Sequence, residues 1–135
     1  MQYCLTLELK NDPELIATYE QYHSPKQVWP EVISAIRDSG ITDMAIHRVG
    51  TTLIMILQTD DSFSFTEKEK QDAMNPKVQA WESLMEQFQN VDSNNQQGKW
   101  QLVERIFSLG EQVGYFPNIS FEGLVSSYKF QGARC

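Results

Sequence analysis

Residues 41–59 read Ile41-Thr-Asp-Met44-Ala-Ile-His47-Arg-Val49-Gly50-Thr51-Thr52-Leu53-Ile-Met55-Ile-Leu57-Gln-Thr59. Two runs rich in β-branched and apolar side chains flank a Gly50-Thr51 break, the pattern of a hairpin. The second run, Leu53 to Leu57, is apolar at successive positions. A strand of that kind is covered on both faces and belongs in the middle of a sheet. On this reading His47, which alternates with Ala45 and Val49, is a satisfied sheet histidine rather than a base. A strand pair flanked on each side by helical periodicity is the centre of a mixed α and β chain, and the rest of the sequence is read outward from it.

Toward the N-terminus, residues 2–10 alternate, with Tyr3, Leu5, Leu7 and Leu9 on one face and Cys4, Thr6, Glu8 and Lys10 on the other. This predicts a half-buried strand. Asp12-Pro13 starts a helix. Ser24-Pro25-Lys26-Gln27 has the composition of a second helix start, and that helix carries Trp29, Val32, Ile33 and Ile36 on one face before ending near Ser39-Gly40. Trp29 reads as core. Toward the C-terminus, Thr66-Glu-Lys-Glu69 reads as a capping box, and Asn75-Pro76 caps a helix running to about Gln89 with Val78, Trp81, Leu84, Met85 and Phe88 as its stripe. Asn90 to Gly98 is polar and loop-like, and residues 99–109 alternate as a fourth strand. The order is βαββαβ, a ferredoxin-like α+β fold with a four-stranded antiparallel sheet and helices on one face. Residues 1–109 form this domain. Residues 110–135 are a glycine-punctuated but apolar extension, expected to pack on the body or on a partner subunit.

Composition narrows the function. With 21% charged and 41% hydrophobic residues in 135, the chain is ordinary globular material able to bury a core. A net charge of −7 with only 11 scattered Lys and Arg argues against nucleic acid and anionic membranes as partners. The two cysteines, Cys4 and Cys135, lie at opposite ends, so a disulfide is not expected and a reducing cytoplasm is. No signal peptide or membrane span is expected, and the glycosylation-like Asn118-Ile-Ser120 is discounted for that reason. Cys4, His23 and His47 lack metal-ligand spacing, and no phosphate loop or nucleophile elbow is present.

Chemistry concentrates in Tyr19-Glu-Gln-Tyr22-His23-Ser-Pro-Lys-Gln-Val-Trp29-Pro30-Glu31. Tyr19 and His23 lie one turn apart on a helix face, with His23 at the helix end. A histidine there exchanges protons near neutral pH, and aromatic neighbours hold a flat or cyclic ligand against it. A packed structural pair has the same spacing.

A tyrosine four residues before a histidine, then Trp29-Pro30-Glu31, resembles the signature of the L-rhamnose mutarotase family. Gln79-Ala-Trp81 with Met85 is similar to that family's Gln-x-Trp-Trp-x-x-Met helix, and the resemblance spans roughly residues 2–109. It implies anomer interconversion of a 6-deoxy-L-hexose by acid–base ring opening, with no cofactor and no metal. By position it implies His23 as proton donor, with Tyr19 and Trp81 on the sugar. The sequence departs from the family at three points. Glu82 stands where the second tryptophan does, Met44 stands where a sugar-binding tyrosine does, and His23 and Trp29 are two residues further apart. A carboxylate at 82 accepts from two neighbouring hydroxyls where an indole does not, so Glu82 and Met44 are expected to bind substrate and to favour L-fucose over L-rhamnose. The bare face of such a sheet is expected to be hidden in a homodimer of the dimeric α+β barrel type. Two other functions share this architecture: a dimeric ferredoxin-like monooxygenase or decyclase, and a non-catalytic sugar-binding domain.

Overall fold

The computed structural model describes residues 1–90 and 99–112. The elements follow as β1 (Gln2–Glu8), α1 (Pro13–Tyr22), α2 (Pro30–Asp38), β2 (Ile41–Val49), β3 (Thr52–Thr59), α3 (Phe65–Ala73), α4 (Pro76–Glu86) and β4 (Gln101–Val103). The strands form one four-stranded antiparallel sheet in the order β2-β3-β1-β4, the ferredoxin-like arrangement.

Register decides which side chains meet. Leu5 pairs with Met55, Leu7 with Leu53 and Tyr3 with Leu57, while Met44 and Ile46 pair with Leu57 and Met55 from β2. Directly paired residues share a face, so these side chains all point toward the helices. Leu7, Leu9 and Leu53 close a core with Tyr19, Val32, Trp81, Met85 and Phe88. A second cluster, Leu5, Ile41 and Leu57, lies beside it. Leu9 and Leu53 are each only 2% exposed. The opposite face carries Cys4, Ile54 and Ile56 with the exposed Ala45, His47 and Val49, and among the described residues no helix covers it.

Two helices start as their sequences dictate. The Asp12 Oδ1 accepts from the Glu14 and Leu15 amides at 2.9 and 3.3 Å. The Asn75 Oδ1 accepts from Lys77 and Val78 at 3.1 and 3.3 Å. Each cap is followed by proline, whose missing N–H is needed least in the first turn.

Four expectations are corrected. Ser24-Pro25 does not start a helix. The Ser24 hydroxyl donates back to the Gln21 carbonyl at 2.6 Å, which closes α1, and Lys26 at φ 70° turns the chain away. The second helix begins instead at Pro30, where the Trp29 carbonyl accepts from Val32 and Ile33. The cap of α3 is Ser64 rather than Thr66, with its hydroxyl 3.3 Å from the Glu67 amide. The Ser64-Phe-Thr-Glu67 spacing is the same capping box moved forward by two residues. Helix α4 ends at Glu86, short of Gln89. Finally, β4 covers three residues and not 99–109. Its antiparallel pairing runs from Thr6↔Gln101 to Cys4↔Val103, and β1 itself begins at Gln2, so residues beyond 105 have no strand to pair with.

By compactness the chain divides into a body, Met1–Glu104, and a second unit from Arg105 onward. In the described part of the second unit a short 3₁₀ turn, Leu109–Glu111, carries an ion pair between Arg105 and Glu111 at 2.7 Å. The expected loop from residue 91 to 98 and most of the extension, with Cys135 and the Asn118 motif, lie outside the described residues. Among the described residues no helix is long and apolar enough to cross a membrane.

Gly40, which ends α2 at φ 96°, lies against the Asp60-Ser62 turn. A Cβ there would stand 2.6 Å from Asp60 Oδ1 and 2.8 Å from Ser62 Oγ, whereas a Cβ on Gly50, at φ 59°, meets nothing within 4 Å. Gly50→Ala is therefore expected to lose only the backbone term, about 1–2 kcal/mol. Gly40→Ala should lose that plus the steric clash, reaching about 2–4 kcal/mol in total. Urea denaturation of both variants checks the difference, and equal losses would contradict the steric argument.

Candidate active site

The site grows from the end of α1. In a continuing helix the Tyr19 carbonyl would receive the amide of His23. That amide instead bonds to the Glu20 carbonyl at 3.1 Å, in the tighter closure common at helix ends. The orphaned Tyr19 carbonyl is taken by the His23 side chain, with Nδ1 at 2.8 Å. A carbonyl only accepts, so Nδ1 carries the hydrogen and Nε2 is left with its lone pair.

Aromatic rings fix that imidazole. His23 stacks on Tyr19 with centroids 4.2 Å apart and planes inclined by 28°. Trp81 meets it edge-on at 5.6 Å, and Trp29 meets Trp81 at 5.2 Å. Phe88 supports Tyr19 from below at 6.0 Å. Helix α4 supplies Trp81, Met85 and Phe88 from its buried stripe and the turn after it.

Between these rings and the inner face of the sheet lies a cavity of about 970 Å³. Tyr19, His23, Met44, Trp81 and Glu82 all line it, so the fold brings every one of the sequence-predicted site residues to a single place. Trp29 packs against the core, as its pattern suggested, and His47 stands exposed on the far face of the sheet.

One end of the cavity is polar. Lys68 and Asp72 of α3 form an ion pair with Nζ–O distances of 2.8 and 2.9 Å. Gln79 donates to the Asp72 carbonyl at 2.8 Å and more loosely to Glu82 Oε2 at 3.4 Å. Lys99 donates to the Glu82 carbonyl at 2.9 Å and pairs with Glu86 at 3.1 Å. The sequence did not single out Lys68, Asp72, Lys99 or Met55 as cavity residues. Charges on an amphipathic helix normally face water, and only the tertiary fold turns this face of α3 inward. Gln89 also lines the cavity, 5% exposed. It follows the Val78, Trp81, Met85 spacing, and a polar residue on an apolar stripe was the available signal.

Electrostatics set the resting forms. Burial lowers the pKa of His23, and the bond to the Tyr19 carbonyl only partly opposes this, so the imidazole is neutral near pH 7 with a free Nε2 lone pair. Burial pushes the Tyr19 phenol up to about 12, so it stays un-ionised. Burial raises Glu82 too, with Asp72 adding to it and Lys99, Lys68 and Gln79 opposing. Among the described residues no group of three or more His, Cys, Asp or Glu could hold a metal ion.

The sequence and the fold both have relatives among known proteins. The family model for L-rhamnose mutarotase matches residues 2–109. An L-fucose mutarotase of Xanthomonas campestris is 40% identical over 111 residues, covering 82% of this chain and 89% of that protein. A UPF0734 protein of Dictyostelium discoideum is 38% identical over 102 residues, covering 73% and 80%. In fold, the crystal structure of an L-rhamnose mutarotase from Formosa agariphila superposes with a TM-score of 0.60 at 19% identity, covering 81% of this chain and 98% of that one. The chain belongs to the L-rhamnose mutarotase family. It is an isomerase of the carbohydrate mutarotase type, which displaces the monooxygenase or decyclase and the non-catalytic readings.

The lowered pKa of His23 has a signed consequence. Below the ordinary histidine pKa of about 6.5 the unfolded chain takes up the proton more readily than the folded site does. The His23 contribution to stability therefore declines as pH falls through 6.5 and levels off once the folded site protonates. An NMR titration of the His23 ring should show its midpoint below 6.5, and His23→Gln should remove this component from the pH dependence of urea denaturation. A midpoint at or above 6.5 would contradict the assigned burial.

Proposed function

We propose that this mutarotase interconverts the α and β anomers of a 6-deoxy-L-hexose, L-fucose in preference to L-rhamnose, through His23. The observation that carries the proposal is the bond from His23 Nδ1 to the Tyr19 carbonyl, which leaves one nitrogen, Nε2, toward the cavity. Mutarotation requires a proton removed from the anomeric hydroxyl and a proton supplied to the ring oxygen as the C1–O5 bond opens. The aldehyde then rotates about C1–C2 and recloses with the proton transfers reversed. A neutral imidazole takes the first proton at Nε2 and returns it on closure, and as imidazolium it serves as the donor. The apolar face of a pyranose suits the Trp81 indole, and the Tyr19 hydroxyl, held un-ionised, is a suitable donor to a sugar oxygen.

The preference for L-fucose rests on the cavity wall. The two sugars differ in configuration at C2 and C4. Glu82 and Met44 replace the indole and phenol that the family pattern has at those positions, and both line the cavity. The Xanthomonas relative, an L-fucose mutarotase, points the same way. A site that hydrogen-bonds one epimer leaves polar groups unpaired with the other. The free thiol of Cys4 fits a cytoplasmic enzyme.

Saturation-transfer NMR of anomer exchange tests the proposal. His23→Ala is expected to lose about 10²–10⁴-fold in exchange rate while keeping its fold. Tyr19→Phe should lose less, because one hydroxyl contact is removed. Wild type should favour L-fucose, and Glu82→Gln should narrow the preference. Full activity in His23→Ala would remove the catalytic assignment. A preference for L-rhamnose, or indifference to Glu82→Gln, would remove only the sugar assignment.

The outer sheet face supports a two-fold homodimer. Cys4, Ile54 and Ile56 lie half-buried there beside Val49, which is 65% exposed, and Val103, 42% exposed. A contiguous apolar face on a small domain is normally hidden by a partner. Light scattering should give about twice the 15.6 kDa chain mass, and Ile56→Asp, at the middle of this face, should shift the mass toward the monomer.

A further inference from the structure

Helix α3 turns a charged stripe inward. Phe65, Lys68, Glu69, Asp72 and Ala73 line the cavity. Their spacing of i, i+3, i+4, i+7 and i+8 is one face of a helix, so this face is the one aimed at the cavity. Of the nine residues of α3, only Lys68 and Asp72 escape full exposure, with side chains 19% and 18% exposed. The most protected positions of an amphipathic helix are normally apolar. Here both carry charge, and drawing charges out of water has a desolvation cost that an apolar pair would avoid.

The pair keeps hydrogen-bonding capacity in reserve. Lys68 Nζ donates to both Asp72 oxygens, at 2.9 and 2.8 Å. An ammonium has three hydrogens and each carboxylate oxygen two lone pairs, so among the described residues one N–H and one lone pair on each oxygen are left over. Two adjacent acceptors beside a donor match two neighbouring hydroxyls, each able to give one hydrogen bond and take one. Burial raises Glu82, and Lys99, Asp72 and Lys68 each bear on it, whereas His23 answers only to burial and to the Tyr19 carbonyl. The charged end of the cavity is therefore set apart from the imidazole. In a pyranose C4 stands opposite C1, and C3 opposite the ring oxygen. A sugar with C1 and its ring oxygen at His23 directs C3 and C4 away from it. We propose that Lys68 and Asp72 form a distal sugar subsite, in which the two Asp72 oxygens accept from the C3 and C4 hydroxyls of the bound 6-deoxy-L-hexose and the remaining Lys68 N–H donates to one of them. The inference rests on the mutarotase reading for its ligand class and for C1 at His23, and on the inward charged face of α3 for its residues.

The signature of this role is a divergence between stability and affinity. The double variant Lys68→Met with Asp72→Leu gives α3 an ordinary apolar stripe. It is expected to melt at the wild-type temperature or higher, as replaced ion pairs often do. Its dissociation constant for L-fucose, by NMR titration, should rise about 10–100-fold, the range for losing hydrogen bonds to charged groups. In anomer exchange the loss should fall on KM more than on kcat. The wild type supplies a second measurement that does not depend on a variant folding. 3-Deoxy- and 4-deoxy-L-fucose should each bind it about 10-fold or more weakly than L-fucose. Both penalties should shrink in the double variant, because each change removes the same bonds, while the penalty for 2-deoxy-L-fucose should be equal in the two proteins.

L-Fucose affinity unchanged in the double variant overturns the proposal, and so does a melting temperature that falls together with affinity, the mark of a pair that only holds α3 in place. Wild-type protein that binds the 3-deoxy and 4-deoxy sugars as well as L-fucose overturns it too, as do 3-deoxy and 4-deoxy penalties equal in the two proteins or a 2-deoxy penalty that shrinks alongside them. Failure here is separable from failure of the catalytic reading. Anomer exchange that needs His23 but ignores Lys68 and Asp72 removes only the present inference. Binding that depends on the pair, without exchange that depends on His23, removes only the catalytic reading. A wild type that does not bind L-fucose removes the present inference together with the sugar assignment.

Discussion

The pairing of β1 with β3 is the constraint on which the rest stands. Its register runs without interruption from Gln2↔Gln58 to Glu8↔Thr52. Side chains alternate between faces, so a slip of one residue would send Leu5, Leu7, Leu53 and Leu57 to the wrong side of the sheet. With the register as it is, Leu7 and Leu53 form the floor on which Tyr19, Val32, Trp81 and Met85 pack, and Leu5 and Leu57 extend it under a second cluster with Ile41. The cavity is the space left where helices and floor do not quite meet. Its aromatic wall is therefore continuous with the core, and the His23 imidazole is held by the same packing that stabilises the fold.

The architecture was legible because it depends on periodicity. Alternation in residues 2–10, the apolar run of Leu53 to Leu57, and the stripe from Val78 to Phe88 each locate a strand or helix and its buried side. What periodicity does not contain is the partner. The alternation from 106 to 109 matches that of a strand, yet the register with β1 runs out before it. Ser24-Pro25 has the composition of a helix cap, but the Ser24 hydroxyl has a nearer acceptor in the Gln21 carbonyl. Local signals propose hydrogen bonds, and competing acceptors decide among them.

The site was legible in the same uneven way. The spacing of Tyr19 and His23 gave the helix face, and the family resemblance gave their company with Trp81. The bond that fixes the ring depends on the irregular closure of α1, which frees the Tyr19 carbonyl, and spacing alone does not reveal that. The polar end of the cavity was hidden for another reason. Lys68 and Asp72 read as an ordinary surface pair of a charged helix, and only the docking of α3 beside α4 turns them inward.

Helix α3 buries no residue of its own, yet Phe65, Lys68, Glu69, Asp72 and Ala73 form part of the cavity wall. Its order comes from the Ser64 cap, the Lys68–Asp72 pair and contact with α4, and it touches the sheet through Phe65 at its first residue, 4.9 Å from the Tyr3 ring. Such a segment sits at the low end of a protein's ladder of local unfolding energies. In hydrogen-exchange terms its amides are expected to open before those of the central strands, so that this side of the cavity wall yields locally while the sheet that defines the molecule stays closed.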